Sequence, residues 1–450
     1  MTIARLSHLT ATLTLLHAAV DALCACSVLG LALWLDVDYT KFVAYNVLAF
    51  MTQPLVGCWH DRSLRQAPSA HWRRVRLLGV AIVLLLAGAM VGVWLSAHPE
   101  QGGAHQQLLV WLMVVLLGLG NSCFHIYGGK QVAVRSGNDL RHLGIFVASG
   151  ALGIWLGHQP LGQGYRWWLM GLMGVLLLGG WRAVRLDADG EPVEAAAVVM
   201  PDSGTQGHTP YALLLLLMLL VFLRSFFGQL VSDDLSGPLL GLLALIAAVM
   251  GKAAGGYVAQ RWGVWCVLTV AFVLAGVGFL LGYYWLWALL AMVLCLNLTM
   301  PLTLGLANRA LPGREGLAFG LLAFTLSPGV ALGLLRLPDE YLLLYAWVAT
   351  VIIELLVLLV LGERRRRVLA FSLVINVLTN LPLNVLLLFY VYEPQMQLAS
   401  LIGEVVVVVV ETLLFWPVTR RLRQALLYAV ACNVASCLIG LLYQLLLSYL

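Results

Sequence analysis

Apolar runs of about 20 residues recur along the whole chain and are separated by short polar breaks. A run of that length lets a helix cross the ~30 Å hydrocarbon core of a bilayer. The closed β-barrel, which also spans membranes, needs ~10-residue segments of alternating polarity, and a run such as Leu213 to Val221 does not alternate. The pattern therefore predicts an all-α integral membrane protein.

The composition excludes several classes of protein. Hydrophobic residues make up 62% of the sequence and charged residues 10%, whereas soluble domains carry about 25% charged residues. The net charge of +5 comes from basic residues in short loops, where it indicates membrane topology, so we expect membrane lipids as partners and no nucleic acid. No segment has the spacing of a nucleotide-binding loop or a catalytic triad, so we expect no cofactor and no enzyme activity.

The apolar runs predict fifteen membrane helices, twelve of which precede the charged run from Glu363 to Arg367. The first twelve are predicted at residues 9–34, 40–58, 76–96, 106–127, 143–158, 166–183, 210–231, 238–259, 264–283, 285–307, 316–336 and 340–361. The last three are predicted at residues 368–391, 397–417 and 425–449. The first run lacks a cleavage site, so we expect it to remain as a helix.

The positions of arginine and lysine predict how the helices are oriented. With a cytoplasmic N-terminus, the basic segments that contain Arg62, Lys130, Arg261 and Arg364 all lie on the cytoplasmic side. This arrangement satisfies the positive-inside rule. An odd number of helices then places Leu450 outside, and we expect a multi-pass protein of the bacterial cytoplasmic (inner) membrane.

An internal repeat divides the first twelve predicted helices into two sets of six. Gly57 and Arg62, after the second helix, recur at equal spacing as Gly256 and Arg261 after the eighth. A second constant offset pairs Asn121 with Asn297, Gly144 with Gly320, Gly153 with Gly329 and Gly157 with Gly333. Repeats of this kind are typical of secondary transporters.

The repeat and the loop lengths predict four segments. These are an N-terminal six-helix half at 1–183, a cytoplasmic linker loop at 184–209, a C-terminal six-helix half at 210–362 and a three-helix transmembrane appendage at 363–450. The appendage adds no third copy of the repeat, so we expect residues 1–367 to insert and transport without it. Residues 368–450 are the expected site for a protein partner, if one exists.

Several motifs resemble a known family. Two six-helix halves with Gly57-x-x-x-Asp61-Arg62 between helices two and three resemble the major facilitator superfamily. Further motifs are His17-x-x-x-Asp21, Gln53-Pro54-x-x-Gly57, Gly120-x-x-x-Phe124-His125 and Leu223-Arg224-Ser225. Together they resemble the bacterial fosmidomycin-resistance branch of drug and proton antiporters over residues 1–362. The resemblance implies the major facilitator fold and transport by alternating access.

Some positions depart from that branch. Ile126 and Tyr127 stand where the branch has proline and glutamate. His158 stands where antiporters usually have proline, and Gln260 replaces the aspartate of the second-half loop. These changes weaken the assignment as a drug exporter, and residues 368–450 lie outside the superfamily pattern.

His17 and Asp21 are the predicted proton-coupling residues. They are four positions apart and therefore lie on one face of the first helix. An ionisable side chain inside a span costs roughly 3 kcal/mol unless it faces a cavity or a partner. Burial favours a protonated carboxyl, so Asp21 could exchange a proton with His17 as its relay. The alternative is a hydrogen-bonded pair that only orients the helix.

Four residues are predicted to bind substrate: Arg224, His125, Asn121 and Asn297. A guanidinium in mid-span needs a carboxylate or an anionic substrate, and Asp21 is the expected carboxylate for Arg224. Alternatively, Arg224 is a structural lock between the halves. His125 could instead cap a helix end, and the asparagines could form interhelical hydrogen bonds.

Four residues are predicted to form a cytoplasmic gate: Gly57, Asp61, Arg62 and Arg261. Glycine allows helices to approach closely, and the Asp61 carboxylate can cap the N-terminus of a neighbouring helix in one of two alternating states. In helix eleven, Pro328 is expected to bend the helix.

Two further polar patterns are present. Cys24 lies on the same stripe as His17, but membrane cysteine is commonly a small apolar filler, so we predict no metal site. In the appendage, Asn376, Asn380 and Asn384 repeat at a spacing of four, and Glu404 and Glu411 lie seven apart on the next helix. We expect these stripes to pack together, with ligand binding as the alternative.

The leading hypothesis is a secondary active transporter that exports a small organic molecule, with substrate and proton competing for a central cavity. One alternative is uptake of an anionic metabolite held by Arg224. Another is a membrane scaffold or lipid-handling protein whose appendage recruits a partner.

Overall fold

The computed structural model of the chain describes residues 7–30, 39–66, 71–98, 103–158, 164–188, 210–232, 234–235, 237–282, 285–334, 340–365, 368–369, 371–372, 375–376, 379–380, 383 and 396–449. All regular secondary structure in these residues is helical, as predicted. The helices are α1 (His8–Ala25), α2 (Tyr39–Asn46), α3 (Gln53–Gln66), α4 (His71–Ala97), α5 (Ala104–Arg135), α6 (Leu140–Gly157), α7 (Tyr165–Ala188), α8 (Pro210–Leu230), α9 (Pro238–Trp262), α10 (Val264–Gly282), α11 (Leu286–Ala310), α12 (Glu315–Phe324), α13 (Leu326–Leu334), α14 (Glu340–Val360), α15 (Met396–Thr419) and α16 (Leu422–Tyr449).

The described helices agree with the predicted membrane spans. Ten of them are long and apolar enough to cross a bilayer, and shorter apolar stretches lie at Glu315–Val330, Thr350–Val360 and Leu422–Leu438. The predicted helix at 368–391 lies mostly outside the described residues. The total of fifteen spans therefore stays a prediction, whereas the all-helical membrane fold is confirmed.

The helix predicted at 316–336 is divided into α12 and α13 at Thr325. Pro328 has no backbone N–H to donate to the carbonyl of Phe324, so α12 ends there. At the break, the Thr325 hydroxyl donates to the Leu322 carbonyl oxygen at 2.7 Å. The break occurs where Pro328 was expected to bend the helix.

Packing divides the chain into two compact units. The first comprises Met1–Ala271 with Val293–Leu335, and the second comprises Phe272–Met292 with Arg336–Leu450. In the first unit, α1 packs against α5, α6 and α7. The predicted division into two six-helix halves stays a prediction.

Helices α3 and α12 approach each other through glycine. A Cβ atom at Gly57 would collide with the backbone of Gly316, and one at Gly320 would collide with the backbone of Gln53. Only glycine permits main-chain contact at this distance.

Helices α6 and α9 make the matching contact. A Cβ atom at Gly256 would collide with the backbone of Leu140, and one at Gly144 would collide with the Lys252 carbonyl. Under the offsets found in the sequence, Gly256 corresponds to Gly57 and Leu140 corresponds to Gly316. The internal repeat is therefore a repeat of contacts as well as of residues.

In the second unit, a buried polar cluster joins α14 to the C-terminal helices. Glu354 of α14 accepts hydrogen bonds from the amides of Asn376 (2.6 Å) and Asn380 (3.4 Å). Glu411 of α15 accepts from Asn380 (3.2 Å) and from Asn433 of α16 (2.6 Å). The expectation that the polar stripes pack together is confirmed for these residues.

The other stripe residues contribute less to this cluster. Asn384 lies outside the described residues, and Glu404 is half-buried without a described hydrogen bond. An apolar core surrounds the cluster and includes Leu358, Val368, Ile375, Phe415, Ala425, Tyr428 and Cys432. Because the buried Glu354 carboxyl takes these hydrogen bonds from the appendage, we expect residues 1–367 alone to be less stable than the full chain, and transport by them stays a prediction.

Glu363 fixes the end of α14 to α16. Its carboxylate accepts hydrogen bonds from the Arg365 guanidinium (2.6 Å) and the Tyr428 hydroxyl (2.9 Å). Burial opposes ionisation of this carboxyl, but the hydrogen bonds from Arg365 and Tyr428 outweigh burial and lower the pKa of Glu363 to about 2. Glu363 is therefore charged at neutral pH.

Candidate functional site

Three ionisable side chains meet inside the first unit. Nε2 of His17 lies 3.3 Å from Oδ2 of Asp21 and 3.0 Å from Nε2 of His125. Nε2 of His125 lies 3.6 Å from Oδ1 of Asp21. His17 is 4% exposed and Asp21 8%. The pair predicted on α1 is therefore part of a buried three-residue cluster with His125 of α5.

Backbone carbonyls determine where hydrogen sits on both imidazole rings. Nδ1 of His17 lies 2.8 Å from the Phe146 carbonyl oxygen, and Nδ1 of His125 lies 3.0 Å from the Asn121 carbonyl oxygen. Because a carbonyl only accepts hydrogen bonds, each Nδ1 carries a hydrogen. In neutral rings, the two Nε2 lone pairs would then face each other. A proton between them makes a hydrogen bond beside the Asp21 carboxylate.

The same three side chains offer metal-ligand atoms within 4.8 Å of one another. Ligands on a tetrahedral zinc ion, with bonds of about 2.0–2.1 Å, are separated by about 3.3 Å. The 3.0 Å between the two Nε2 atoms is instead an ordinary hydrogen-bond length, and the described residues add no fourth ligand to the group. The geometry fits a proton better than a metal ion, and the absence of a metal site stays a prediction.

Gly150 of α6 gives the cluster its space. A Cβ atom at this position would lie 2.5 Å from Oδ2 of Asp21 and 2.6 Å from Nε2 of His17. The ring of His17 also stacks on Phe146 of the same helix, with 4.4 Å between centroids. Helix α6 therefore packs directly against His17 and Asp21.

Replacing Gly150 with alanine is expected to displace His17 or Asp21 and to lower transport by roughly 100-fold, because misplacing a reacting group by about 1 Å can have that effect. Overpacking should also cost about 1–3 kcal/mol of stability. Transport and thermal unfolding of the purified variant check this. Gly171→Ala on α7 is the matched control, since its Cβ would meet no atom within 4 Å. Equal transport by the two variants would contradict the assignment.

Asn121 of α5 supports the cluster. Its amide nitrogen lies 3.4 Å from Oδ1 of Asp21 and 3.1 Å from the Tyr45 hydroxyl, and donates to both. Of its two predicted roles, the structure favours the interhelical hydrogen bond.

Arg224 of α8 does not pair with Asp21. It is 8% exposed, and its Nη1 atom is buried with no hydrogen-bond partner among the described residues. The predicted ion pair does not form because Asp21 is shared by His17 and His125. The charge of Lys252 on α9 interacts with both Asp21 and Arg224.

Asp61 caps the N-terminus of α12, as predicted for the gate. Its carboxylate accepts hydrogen bonds from the backbone N–H groups of Gly316 (3.2 Å) and Leu317 (2.8 Å). The ammonium of Lys130 lies 2.5 Å from the same carboxylate. Gly57 lies in this contact, so the structure brings two of the four predicted gate residues together.

Three predicted site residues lie apart from these groups. Arg62 and Arg261 are exposed, and no described contact joins either to the Asp61 cap. Asn297 donates to the Val293 carbonyl oxygen of its own helix at 2.8 Å. Their predicted roles in gating and substrate binding stay predictions.

Sequence reasoning missed Lys130, Tyr45 and Lys252. Lys130 was counted only as a cytoplasmic charge, and Tyr45 carries no motif. Lys252 could have been identified from the sequence, because a lysine inside an apolar span is by itself a candidate functional residue.

No protein-family model matches the sequence, and neither does any curated protein. Solved structures are similar to it. The Escherichia coli fucose:proton symporter has 14% identity and a TM-score of 0.50, over 72% of this chain and 88% of the symporter. A bacterial homologue of the iron transporter ferroportin, in an outward-facing state, has 15% identity and a TM-score of 0.53, over 75% of this chain and 95% of the homologue.

Both similar structures are major facilitator transporters. At these identities, the likeness concerns the fold. It supports the predicted superfamily fold but gives no support to the fosmidomycin-resistance branch.

Proposed function

We propose that the chain is a proton-coupled secondary transporter of a small organic molecule, working by alternating access. One observation carries the proposal: the facing Nε2 atoms of His17 and His125, 3.0 Å apart beside Asp21. Such an arrangement binds a proton inside the membrane, and buried ionisable groups of this kind mark proton relays in transporters. The similarity to transporter structures, one of them a fucose:proton symporter, supports it.

Asp61 supplies the conformational part of the proposal. Its carboxylate holds the N-terminus of α12 and Lys130. For α3 and α12 to separate at this end, these hydrogen bonds must break. We take this end as the cytoplasmic gate because the basic loops lie there under the positive-inside rule.

The direction of transport depends on how substrate and proton interact. If they compete for the cluster, an inward proton gradient drives export, which is the hypothesis drawn from the sequence. If they bind together, the same gradient drives uptake. The charge of the substrate decides between the two.

The proposal is tested with a pH-sensitive dye in sealed inverted vesicles that contain the full chain. Compounds from a small-molecule library are added after a proton gradient is formed. Transported compounds should move protons with the wild-type protein and fail to do so with His125→Gln, which cannot hold the shared proton. Transport that proceeds without proton movement would refute proton coupling.

The orientation is tested separately with reporter fusions. A reporter active only in the cytoplasm should give a signal when fused at Arg366 and none when fused after Leu450. A bright fusion after Leu450 would contradict an odd number of spans and would place the C-terminus inside.

A further inference from the structure

Two basic side chains inside the first unit have no anionic partner of their own. Arg224 of α8 is 8% exposed, and its Nη1 atom is buried without a hydrogen-bond partner among the described residues. The side chain of Lys252 on α9 is half-buried and takes part in no described hydrogen bond or ion pair. Its charge interacts with those of Arg224 and Asp21. A buried guanidinium inside a membrane protein requires a counter-charge.

The described residues do not supply enough negative charge. Asp21 is the carboxylate that attracts Lys252, and it is already shared by His17 and His125. One carboxylate therefore faces two basic side chains before any proton on the histidines is counted. A bound anion would supply the counter-charge that the described residues lack.

We propose that the transported substrate is a small carboxylate or phosphate-type anion bound by Arg224 and Lys252, and that it binds together with the proton of the His17 cluster. This inference rests on the proposed function. A guanidinium recognises the two oxygens of a carboxylate or phosphate in parallel, and an ammonium adds a compact point charge. Nη1 of Arg224, which has no hydrogen-bond partner among the described residues, is the donor available to the anion.

The sign of the coupling follows from Coulomb attraction. Titratable and charged groups that face this region are His17, Asp21 and Cys24 on α1, Tyr45 on α2, His125 on α5, Arg224 on α8 and Lys252 on α9. A proton on the cluster adds positive charge beside Lys252 and so strengthens anion binding. By linkage, the anion strengthens proton binding by the same factor. The two ligands travel in one direction, and an inward proton gradient drives uptake.

The first test compares stability without any ligand. Arg224→Met removes a buried cation that lacks a counter-charge, and Lys252→Met removes a half-buried one, so the purified variants should melt several degrees above the wild type. Both should lose transport. If Arg224 instead serves as a structural lock, removing its side chain should lower the melting temperature. A lower melting temperature in both variants overturns the proposal.

The second test measures thermal shifts of the full-length protein with succinate, lactate, inorganic phosphate and methylphosphonate. Glycerol and choline chloride serve as neutral and cationic controls at matched ionic strength. At least one anion should stabilise the wild type, with an affinity that rises by up to about tenfold per pH unit as the pH falls. Succinate and phosphate distinguish the two anion types. Arg224→Gln should lose the shift, and Gly171→Ala on α7, where a Cβ atom meets nothing within 4 Å, should keep it.

Three results overturn the anion proposal: no anion shifts the melting temperature, the shift survives in Arg224→Gln, or the shift weakens as the pH falls. Proton uptake on acidification, measured in the same samples, separates this proposal from the proposed function. Normal proton uptake without an anion-induced thermal shift refutes only the anion proposal. If the wild-type protein takes up no protons, the proposed function itself is refuted.

Discussion

Replacing Asp21 with asparagine is expected to reduce proton-driven transport to the level of protein-free vesicles while the protein stays folded. The amide keeps the size of the carboxyl group but carries no negative charge. Without that charge, the proton between His17 and His125 loses the anion beside it. Transport under an imposed pH gradient in proteoliposomes measures the effect, and thermal unfolding verifies the fold.

The control for this experiment is Gly171→Ala on α7, where an added Cβ atom meets nothing within 4 Å. We expect this variant to transport at close to the wild-type rate. Unchanged pH-driven transport by Asp21→Asn would remove Asp21 from the mechanism.

Truncation after Arg367 is expected to destabilise the protein severely. The truncation removes Asn376 and Asn380, which donate the hydrogen bonds to the buried Glu354 carboxylate. Leaving this buried carboxyl group without its hydrogen-bond partners costs about 1–3 kcal/mol. It also exposes the apolar side of α14 that packs on α16. A fall in melting temperature of roughly 10 °C or more should follow, measured by fluorescence-detected thermal unfolding in detergent.

A rescue variant separates the two causes of this loss. Glu354→Leu in the truncated chain removes the stranded carboxylate, so it should recover part of the lost stability. Glu404→Gln in the full chain is the control, because Glu404 is half-buried with no described hydrogen bond, and it should change stability by less than about 1 kcal/mol. A truncated chain that melts like the full-length protein would restore the view of the appendage as an independent module.

The helices themselves were predictable from sequence because each one needs enough apolar residues to cross the bilayer. The bounds of α8, predicted at 210–231, differ from Pro210–Leu230 by one residue. The break at Thr325 was partly predictable, since proline removes a main-chain donor. The extension of α5 to Arg135, beyond the predicted end at 127, was not. Hydropathy marks where the apolar stretch ends, whereas hydrogen bonding continues into the polar residues that follow.

The site was harder to predict than the fold. The pairing of His17 with Asp21 follows from their spacing of four on one helix. The addition of His125 depends on how α5 crosses α1, and no local pattern encodes a crossing. The prediction that Arg224 pairs with Asp21 was wrong for the same reason, because charge alone does not indicate which side chains contact a carboxylate. Predicting a role for Lys252 would have required the knowledge that α6 packs against both α1 and α9.

The glycine contacts described above bear on the speed of the proposed transport cycle. At both interfaces, α3 with α12 and α6 with α9, main chain meets main chain, so separation there needs no change of rotamer. The interfaces differ in charge, since Asp61 binds α12 and Lys130 at the first, whereas the corresponding residue at the second, Gln260, is exposed. Under the proposed function, we therefore expect an asymmetric activation barrier, in which breaking the Asp61 contact is the slower step.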